Sequence, residues 1–510
     1  MYRLLPLGAG VFTFLIYTWT LAPTITWHPA GIDSGDFATA IAVRGVPHPS
    51  GYPTYLLLGQ LFTQLSFGDI AYRLNLLSAT CAALTIAILT LIIHKTISDK
   101  HNSPYSHQQT LLVWVCALSA SLIFAFSSLF WSQAIVTEVY TLNTLFAAFL
   151  LYGFLHLQRE SNLFWVASGL AFLWGLSLGN HLSIGLWIPI IFWGVRRIRW
   201  SWKWGAITAT MFCLGLSVYL TIPIRAASSP PLNWGNATSW QNFWWLISGA
   251  PYRQFVFALP WEFIPQRIGA EFFLMAQSFL WGGLFIALLG LLSQFQYDHT
   301  FAKYSLITVS LFSIYAIGYN TSDSLVYLLP AWLLITIWLG WGFWVLLEPL
   351  TNRITQSHWK YLGALGALFL LPLLPLTLNF SSHNLKNDYE AIQYVHESLQ
   401  IVEADAIIVT EQDRHTFALW YGRYGLALRS DVAIINHNLL SYDWYRQTLQ
   451  QNHPNIQLNT LNGQPLSSIS AVIAANIQNS PIYLAEIDAP PLPTYTLKTV
   501  GPLQHIVDSD

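Results

Sequence analysis

Apolar side chains run along this chain in blocks long enough to cross a lipid bilayer, separated by short polar stretches. A spanning helix needs about 20 mostly apolar residues. Such blocks fall near 5–23, 72–94, 111–131, 138–157, 163–179, 182–195, 205–223, 273–294, 303–320, 325–347 and 358–379. The pattern predicts a polytopic α-helical membrane protein with about eleven transmembrane helices. The blocks 163–179 and 182–195 are short and also read as one broken hairpin. The stretch 52–67 is apolar but short and broken by Gly and Pro, which reads as a re-entrant or interfacial helix. Ala22-Pro23 after the first block offers no small-residue cleavage site, so that segment is expected to stay uncleaved.

The pattern changes after residue 379. Residues 1–379 hold 27 of the 46 charged side chains, and the much shorter 380–510 holds the other 19. The chain thus divides into a transmembrane domain, 1–379, and a small soluble α/β domain, 380–510. In the tail, 388–400 reads as a helix. Ala406–Thr410 and Val432–Asn436 read as short buried strands, with helices near 413–425 and 441–451 and a further strand at Pro481–Leu484. That alternation suggests a parallel sheet. The tail carries no Gly-rich phosphate loop, so nucleotide binding is not expected.

Charged residues make up only 9% of the chain, against about 25% in a soluble domain. Net charge −2 and a pI near 6.7 exclude a nucleic-acid binder. Cys81, Cys116 and Cys213 all lie in apolar blocks without metal-ligand spacing, so no metal site and no disulfide framework is expected. With the N-terminus inside, the inner loops carry Arg3, Lys95, Lys100, Arg159, Arg196, Arg197, Arg199, Lys203, Lys303, Arg353 and Lys360. The outer loops carry Arg44, Arg225, Arg253 and Arg267, with Arg73 at a boundary. This positive-inside bias places the protein in the cytoplasmic (inner) membrane with its C-terminal domain extracytoplasmic. The run Arg196-Arg197-Ile198-Arg199-Trp200 reads first as a topology signal, with lipid binding as the alternative.

Two outer segments, 24–71 and 224–272, are longer than a connection requires, and long ordered loops tend to be functional. The first carries Asp33 and Asp36, three apart and so on one face of a helical turn, followed by His48 and Tyr52. The pair reads as a catalytic base with a partner, or as a helix cap beside a turn. The second carries Arg225, Asn233, Trp234 and Arg253. An Arg at a span end can snorkel, or can clamp a phosphate through its fork of donors. The rings around Arg253 read as an interfacial aromatic belt or as a stacking surface for a sugar. Glu138, Asn180-His181 and Asp323 interrupt the apolar blocks near their ends. Charge close to a bilayer is costly and is a functional hypothesis by default. The stated orientation puts all of these groups on the outer face.

Several strings carry a resemblance. Leu21-Ala22-Pro23-Thr24-Ile25-Thr26-Trp27, Asp33-Ser34-Gly35-Asp36-Phe37 and His48-Pro49-Ser50-Gly51-Tyr52-Pro53 come first. Thr137-Glu138-Val139-Tyr140-Thr141-Leu142-Asn143, Gly175-Leu176-Ser177-Leu178-Gly179-Asn180-His181 and Pro231-Leu232-Asn233-Trp234-Gly235-Asn236 follow in order. The set resembles a bacterial member of a membrane family long known only as a domain of unknown function. That family includes eukaryotic transmembrane protein 260, a protein O-mannosyltransferase. Asp413-Arg414-His415-Thr416-Phe417-Ala418-Leu419-Trp420-Tyr421 resembles a family tail motif more loosely. Asp36 stands where the family usually has Glu, and Ser50 where it usually has Pro.

The resemblance implies a C-type glycosyltransferase (GT-C) fold. Such an enzyme takes a sugar, mannose among the candidates, from a polyprenyl-phosphate carrier and passes it to an extracytoplasmic hydroxyl with inversion. The first-loop Asp of the family falls on Asp33, making it the expected base, with Asp36 orienting the acceptor or sharing that role. Arg225, Arg253 and His181 are expected to meet the donor phosphate. His48, Tyr52, Glu138, Asn180, Asn233, Trp234 and Asp323 are expected at the substrates. No cofactor is required, and a divalent cation is compatible with the chemistry. The expected partners are the lipid bilayer, the polyprenyl-phosphate sugar, and a protein or glycan acceptor. The rival readings are a transporter or flippase of lipid-linked sugars, and a non-catalytic scaffold that keeps the fold. A transporter favours polar groups at the midplane and related halves, and the sequence shows neither.

Overall fold

The computed structural model describes residues 2–28, 31–99, 105–158, 164–351, 354–460, 463–487 and 495–508. Lys100, Arg159, Arg353 and the Arg3 side chain, counted above among the inner-loop charges, lie outside the described residues. Among the described residues seven helices are long and apolar enough to cross a membrane, from Ile70–Ser98 to Trp359–Phe380. Trp261–Ser278 and Gly282–Tyr297 form an eighth candidate, bent by 91° at the break. Three shorter apolar helices, Leu5–Thr20, Phe164–Leu178 and Leu182–Val195, fall on the remaining expected blocks. The chain is a multi-pass membrane protein.

Local chemistry sets the helix starts. Asp69 opens Ile70–Ser98 by accepting from the Tyr72 N–H at 2.7 Å. Ser106 and Gln109 form a reciprocal capping box at the start of His107–Ala125. Where lipid rather than water surrounds a bundle, helices associate by close packing of small residues. A Cβ on Gly175 or Gly215 would meet the backbone of the facing helix, and the same holds for Gly290 and Gly342. The Ser324–Thr351 helix forms the centre of the bundle, with most of its side chains buried. Trp202–Ala227 and Trp359–Phe380 bury few of theirs, as helices facing acyl chains do.

The segment 24–71, the first of the two expected on the outer side and named for that below, holds two short helices, Ser34–Ala42 and Pro53–Phe62. The second outer segment is stitched to it. The Val46 N–H donates to the Leu232 carbonyl at 3.0 Å and the Trp234 N–H to the Val46 carbonyl at 3.1 Å, a parallel bridge of Val46 with Asn233.

The tail folds around five strands: β1 (Ile407–Thr410), β2 (Ala433–Asn436), β3 (Ile482–Ala485), β4 (Tyr495–Val500) and β5 (Leu503–Asp508). Their order in the sheet is β2-β1-β3-β5-β4. The expected parallel sheet holds for β2-β1-β3, in register Ala433↔Ile407↔Ile482. It is corrected at the other edge, where β5 pairs antiparallel with β3 and with β4. β4 is mostly exposed, so it lacks the buried apolar run that marks β1 and β2.

The tail docks on the first outer segment. Trp27 Nε1–H donates to the Arg414 carbonyl at 2.9 Å, and the Leu385 N–H to the Thr20 carbonyl at 3.0 Å. At Gly35 a Cβ would meet the backbone of Phe417 and Ala418. The helix Ser34–Ala42 and the tail helix Asp413–Trp420 therefore touch backbone to backbone. Gly35→Val is expected to pry them apart at a cost of about 1–3 kcal/mol. Melting temperature should fall and proteolysis near the 380–390 junction should speed up. Gly169→Ala, which faces open space, serves as the control. Equal melting and proteolysis of the two variants would contradict this packing.

Candidate active site

The helix Ser34–Ala42 begins at Asp33, yet the Asp33 side chain does not cap it. The carboxylate turns instead into a cleft of about 360 Å³ that opens between the two outer segments and the tail. One further turn along, Asp36 is fully buried. Its Oδ2 accepts from the His48 backbone N–H at 3.0 Å and from His48 Nδ1–H at 2.7 Å. Its Oδ1 accepts from Trp234 Nε1–H at 3.1 Å. His48 Nε2 in turn faces Asp33 Oδ2 at 3.7 Å. The three-residue spacing thus places two carboxylates on opposite sides of one imidazole.

The cleft brings together Asp33, His48, Tyr52, His181, Trp234, Arg253 and Asp323 from the residues singled out in the sequence. Gly51 at φ +82° and Tyr52 at φ 43° form a left-handed turn ahead of Pro53 that swings the Tyr52 ring beneath His48, centroids 5.0 Å apart. His181 Nδ1 accepts from the Ser183 backbone N–H at 3.2 Å, which leaves Nε2 as the protonated nitrogen of the neutral ring. Tyr140 and Tyr327 pack against that imidazole at 5.4 and 5.5 Å between centroids.

Five residues expected at the site do not line the cleft. Asp36 does not reach the cleft, because His48 and Trp234 occupy both of its oxygens. Arg225 lies outside the cleft lining, where its Nη1 donates to the Gly45 carbonyl at 3.3 Å and braces the bridge between the outer segments. Glu138 is buried, with Oε2 accepting from the Val139 N–H at 3.3 Å. Asn180 is fully buried and ties its loop to the Val139 carbonyl at 3.1 Å. Asn233 is buried and donates to the Ala226 carbonyl at 3.2 Å. Arg225, Glu138, Asn180 and Asn233 each make a hydrogen bond to backbone, and Asp36 is held by the His48 backbone and ring and by the Trp234 indole.

Sequence reasoning missed a wall of the cleft. Asp413 follows β1 at the carboxyl end of the parallel strands, the edge where open α/β sheets place ligands. It enters the cleft with Phe417 from the tail. Tyr252, Tyr315 and Tyr319 add hydroxyl-bearing rings from the other side. The signal for Asp413 was present, since it heads the tail motif. Tyr252 is one of the rings near Arg253 read as a belt or a sugar-stacking surface, whereas Tyr315 and Tyr319 gave no signal, because membrane interfaces are rich in such rings.

Electrostatics follow from the walls. Asp33 keeps 39% of its side chain open to the cleft, but protein surrounds the cleft itself. Burial therefore pushes its pKa up, against the pull of His48 and with help from Asp413, Asp36 and Asp323, to about 6. Burial alone would lower the His48 pKa. Asp33 and Asp36 outweigh it and raise the pKa to about 9. Burial holds His181 down at about 4, so that ring is neutral at pH 7. Burial likewise raises Asp413. Among the described residues no three His, Cys, Asp or Glu side chains converge to hold a metal ion.

Residues 33–204 match the family described as Protein O-mannosyl-transferase TMEM260 N-terminal domain, and residues 391–462 match TMEM260-associated domain 2. Protein O-mannosyl-transferase TMEM260 of Mus musculus is 25% identical over 481 residues, 86% of this chain and 63% of that protein. Its Dictyostelium discoideum counterpart is 22% identical over 535 residues, 92% of this chain and 62% of that protein. The chain thus spans under two thirds of the length of either relative. The structure of ArnT from Cupriavidus metallidurans bound to undecaprenyl phosphate superposes with a TM-score of 0.60 at 10% identity, covering 99% of this chain and 97% of ArnT. The apo Archaeoglobus fulgidus oligosaccharyltransferase gives 0.51 at 12% identity, covering 94% of this chain and 69% of that one. The chain is therefore related to the TMEM260 proteins and has the GT-C fold, as the strings in its sequence implied.

The Asp36 arrangement makes a prediction that needs no activity. A raised His48 pKa stabilises the fold fully below the ordinary 6.5, and that contribution is lost as pH rises through about 9. Asp36→Asn removes the buried carboxylate, and one charge-assisted bond is worth about 1.5–3 kcal/mol, or about one to two pH units. Nuclear magnetic resonance titration of the His48 ring, assigned by loss of its signal in His48→Gln, should show the midpoint falling by that amount. An unchanged midpoint would contradict the hub.

Proposed function

We propose that this protein is a membrane glycosyltransferase that moves a sugar, mannose by the likeness to its relatives, from a polyprenyl-phosphate carrier to an acceptor hydroxyl at the outer face. The observation that carries the reading is Asp33. It is a carboxylate of raised pKa on the wall of a cleft at one end of the span bundle, with a protonated imidazole at 3.7 Å. The relatives' names and the undecaprenyl phosphate bound to ArnT support the choice of chemistry.

The reaction is a single displacement. The acceptor oxygen forms a bond to the anomeric carbon as the bond from that carbon to the phosphate oxygen breaks, and configuration inverts. Asp33 takes the acceptor proton. A carboxylate titrating near 6 is a stronger base than an ordinary one and is still ionised at pH 7. His48 holds that carboxylate in place and keeps its charge balanced, and Asp36 fixes the orientation of His48 from below. The departing polyprenyl phosphate keeps the bond electrons. Arg253 and the Nε2–H of His181, both on the cleft wall, are placed to meet its charge. The tyrosines and Trp234 offer faces and hydroxyls to the pyranose. The protein or glycan acceptor would approach past Asp413, where the tail borders the cleft.

Purified protein given a polyprenyl-phosphate mannose should transfer or hydrolyse it, and Asp33→Asn should lose about 10²–10⁴-fold while expressing normally. Full activity in Asp33→Asn would remove Asp33 as the base, and no transfer or hydrolysis by the parent protein would leave a scaffold. The rate should fall as pH drops through about 6, where Asp33 gains its proton, and again as pH rises through about 9, where His48 loses one. Arg253→Ala should lower the rate with donor about tenfold or more, the scale of one lost charge-assisted contact. A profile flat across pH 6, or an Arg253→Ala variant as fast as the parent, would contradict these assignments.

A further inference from the structure

A second polar cavity, about 750 Å³, lies at the far end of the bundle. Tyr140 lines the cleft, whereas Leu155 and Gln158 line this cavity at the other end of the same helix, Tyr140–Leu157. Eighteen residues at 1.5 Å each separate the two sites by about 27 Å, close to the thickness of a hydrocarbon core. Trp165, Trp200 and Trp202 stand exposed at this end of the bundle, as rings at a headgroup boundary do. The cavity therefore sits at the depth of the opposite leaflet's headgroups.

Its lining is polar and incompletely paired. Gln294 is 1% exposed and lines the cavity, yet neither its Nε2 nor its Oε1 has a hydrogen-bond partner. Trp193 is also 1% exposed, and its Nε1–H is unpaired. Gln158 spends its Nε2 on the Trp193 and Gly194 carbonyls at 3.1 and 2.7 Å and leaves Oε1 unpaired. A buried polar group without a partner is destabilising by about 1–3 kcal/mol. Several around one cavity indicate that something polar occupies it. The unpaired set contains donors and acceptors together. The charged lining matches, with Arg196 and Arg197 on the wall alongside Asp99 and Asp298. The arginine run whose first reading was a topology signal has two of its members here.

We propose that this cavity holds the zwitterionic headgroup of a phosphoethanolamine-type phospholipid. The phosphate would sit on Arg196, Arg197 and the Trp193 and Gln294 N–H groups, and the ammonium beside Asp298 and the glutamine oxygens. A glycerol headgroup offers the same phosphate to the arginines but brings no cation to Asp298. The site does not depend on the transfer chemistry at the other face.

The full-length protein in detergent is exchanged against micelles doped with phosphatidylethanolamine, phosphatidylglycerol or free glycerophosphoethanolamine, and bound adducts are counted by native mass spectrometry. Phosphatidylethanolamine should be retained about tenfold over phosphatidylglycerol, and Gln294→Leu and the surface variant Arg197→Gln should each lose about tenfold of that retention. Melting temperature verifies that the variants fold. Equal retention of the two lipids, or retention untouched in Arg197→Gln, would overturn the proposal. Tight binding of the free glycerophosphoethanolamine without preference for the lipid would overturn the lipid source.

Discussion

One buried carboxylate holds the cleft end of the bundle together. Asp36 is shut off from solvent and is matched by three donors, two from His48 and one from Trp234. Those donors belong to different segments. His48 lies in the first outer segment and Trp234 in the second, and the Val46 bridge runs beside them. A carboxylate stripped of water is tolerated only with such a full complement of donors. Removing any one of the donors leaves part of the charge unmatched, so the two segments are fixed relative to each other by a strong local requirement. Asp33 then inherits its position, because the helical turn that buries Asp36 presents Asp33 to the cleft.

The same hub explains how three carboxylates can line one cleft. Asp33, Asp323 and Asp413 line it together, and burial adds to the cost of keeping Asp33 and Asp413 charged. The His48 cation, stabilised from beneath by Asp36, offsets part of that cost. The tail contributes Asp413 through a helix pressed against Gly35, so the tail closes the cleft as well as sitting beside it. At the other end of the bundle the balance is different: exposed arginines and aspartates surround buried, unpaired amides. The protein thus meets its two leaflets with distinct polar chemistries, joined by helices whose close crossings rest on glycine pairs such as Gly175 with Gly215.

Much of the fold was legible because membrane and core burial write long apolar blocks into a sequence. Each expected block coincides with a helix or a bent helix pair, and β1, β2 and β3 lie where short buried runs occur. The exposed strand β4 was not legible, since its side chains carry no buried periodicity. At the cleft, the spacing of Asp33 and Asp36 was readable, but the imidazole between them comes from twelve residues further on, and no local pattern encodes that contact. Asn180, Asn233 and Arg225 stood out as polar residues near lipid. They turned out to hold backbone carbonyls, a demand that sequence spacing cannot distinguish from substrate binding.

The most direct test is a structure of the full chain determined with a polyprenyl phosphate bound. Phosphate density is expected in the cleft between Arg253 and His181, with Asp33 on the opposite wall and the prenyl chain running down the bundle surface. Phosphate density confined to the cavity beside Arg196, or a cleft left empty at saturating lipid, would contradict it.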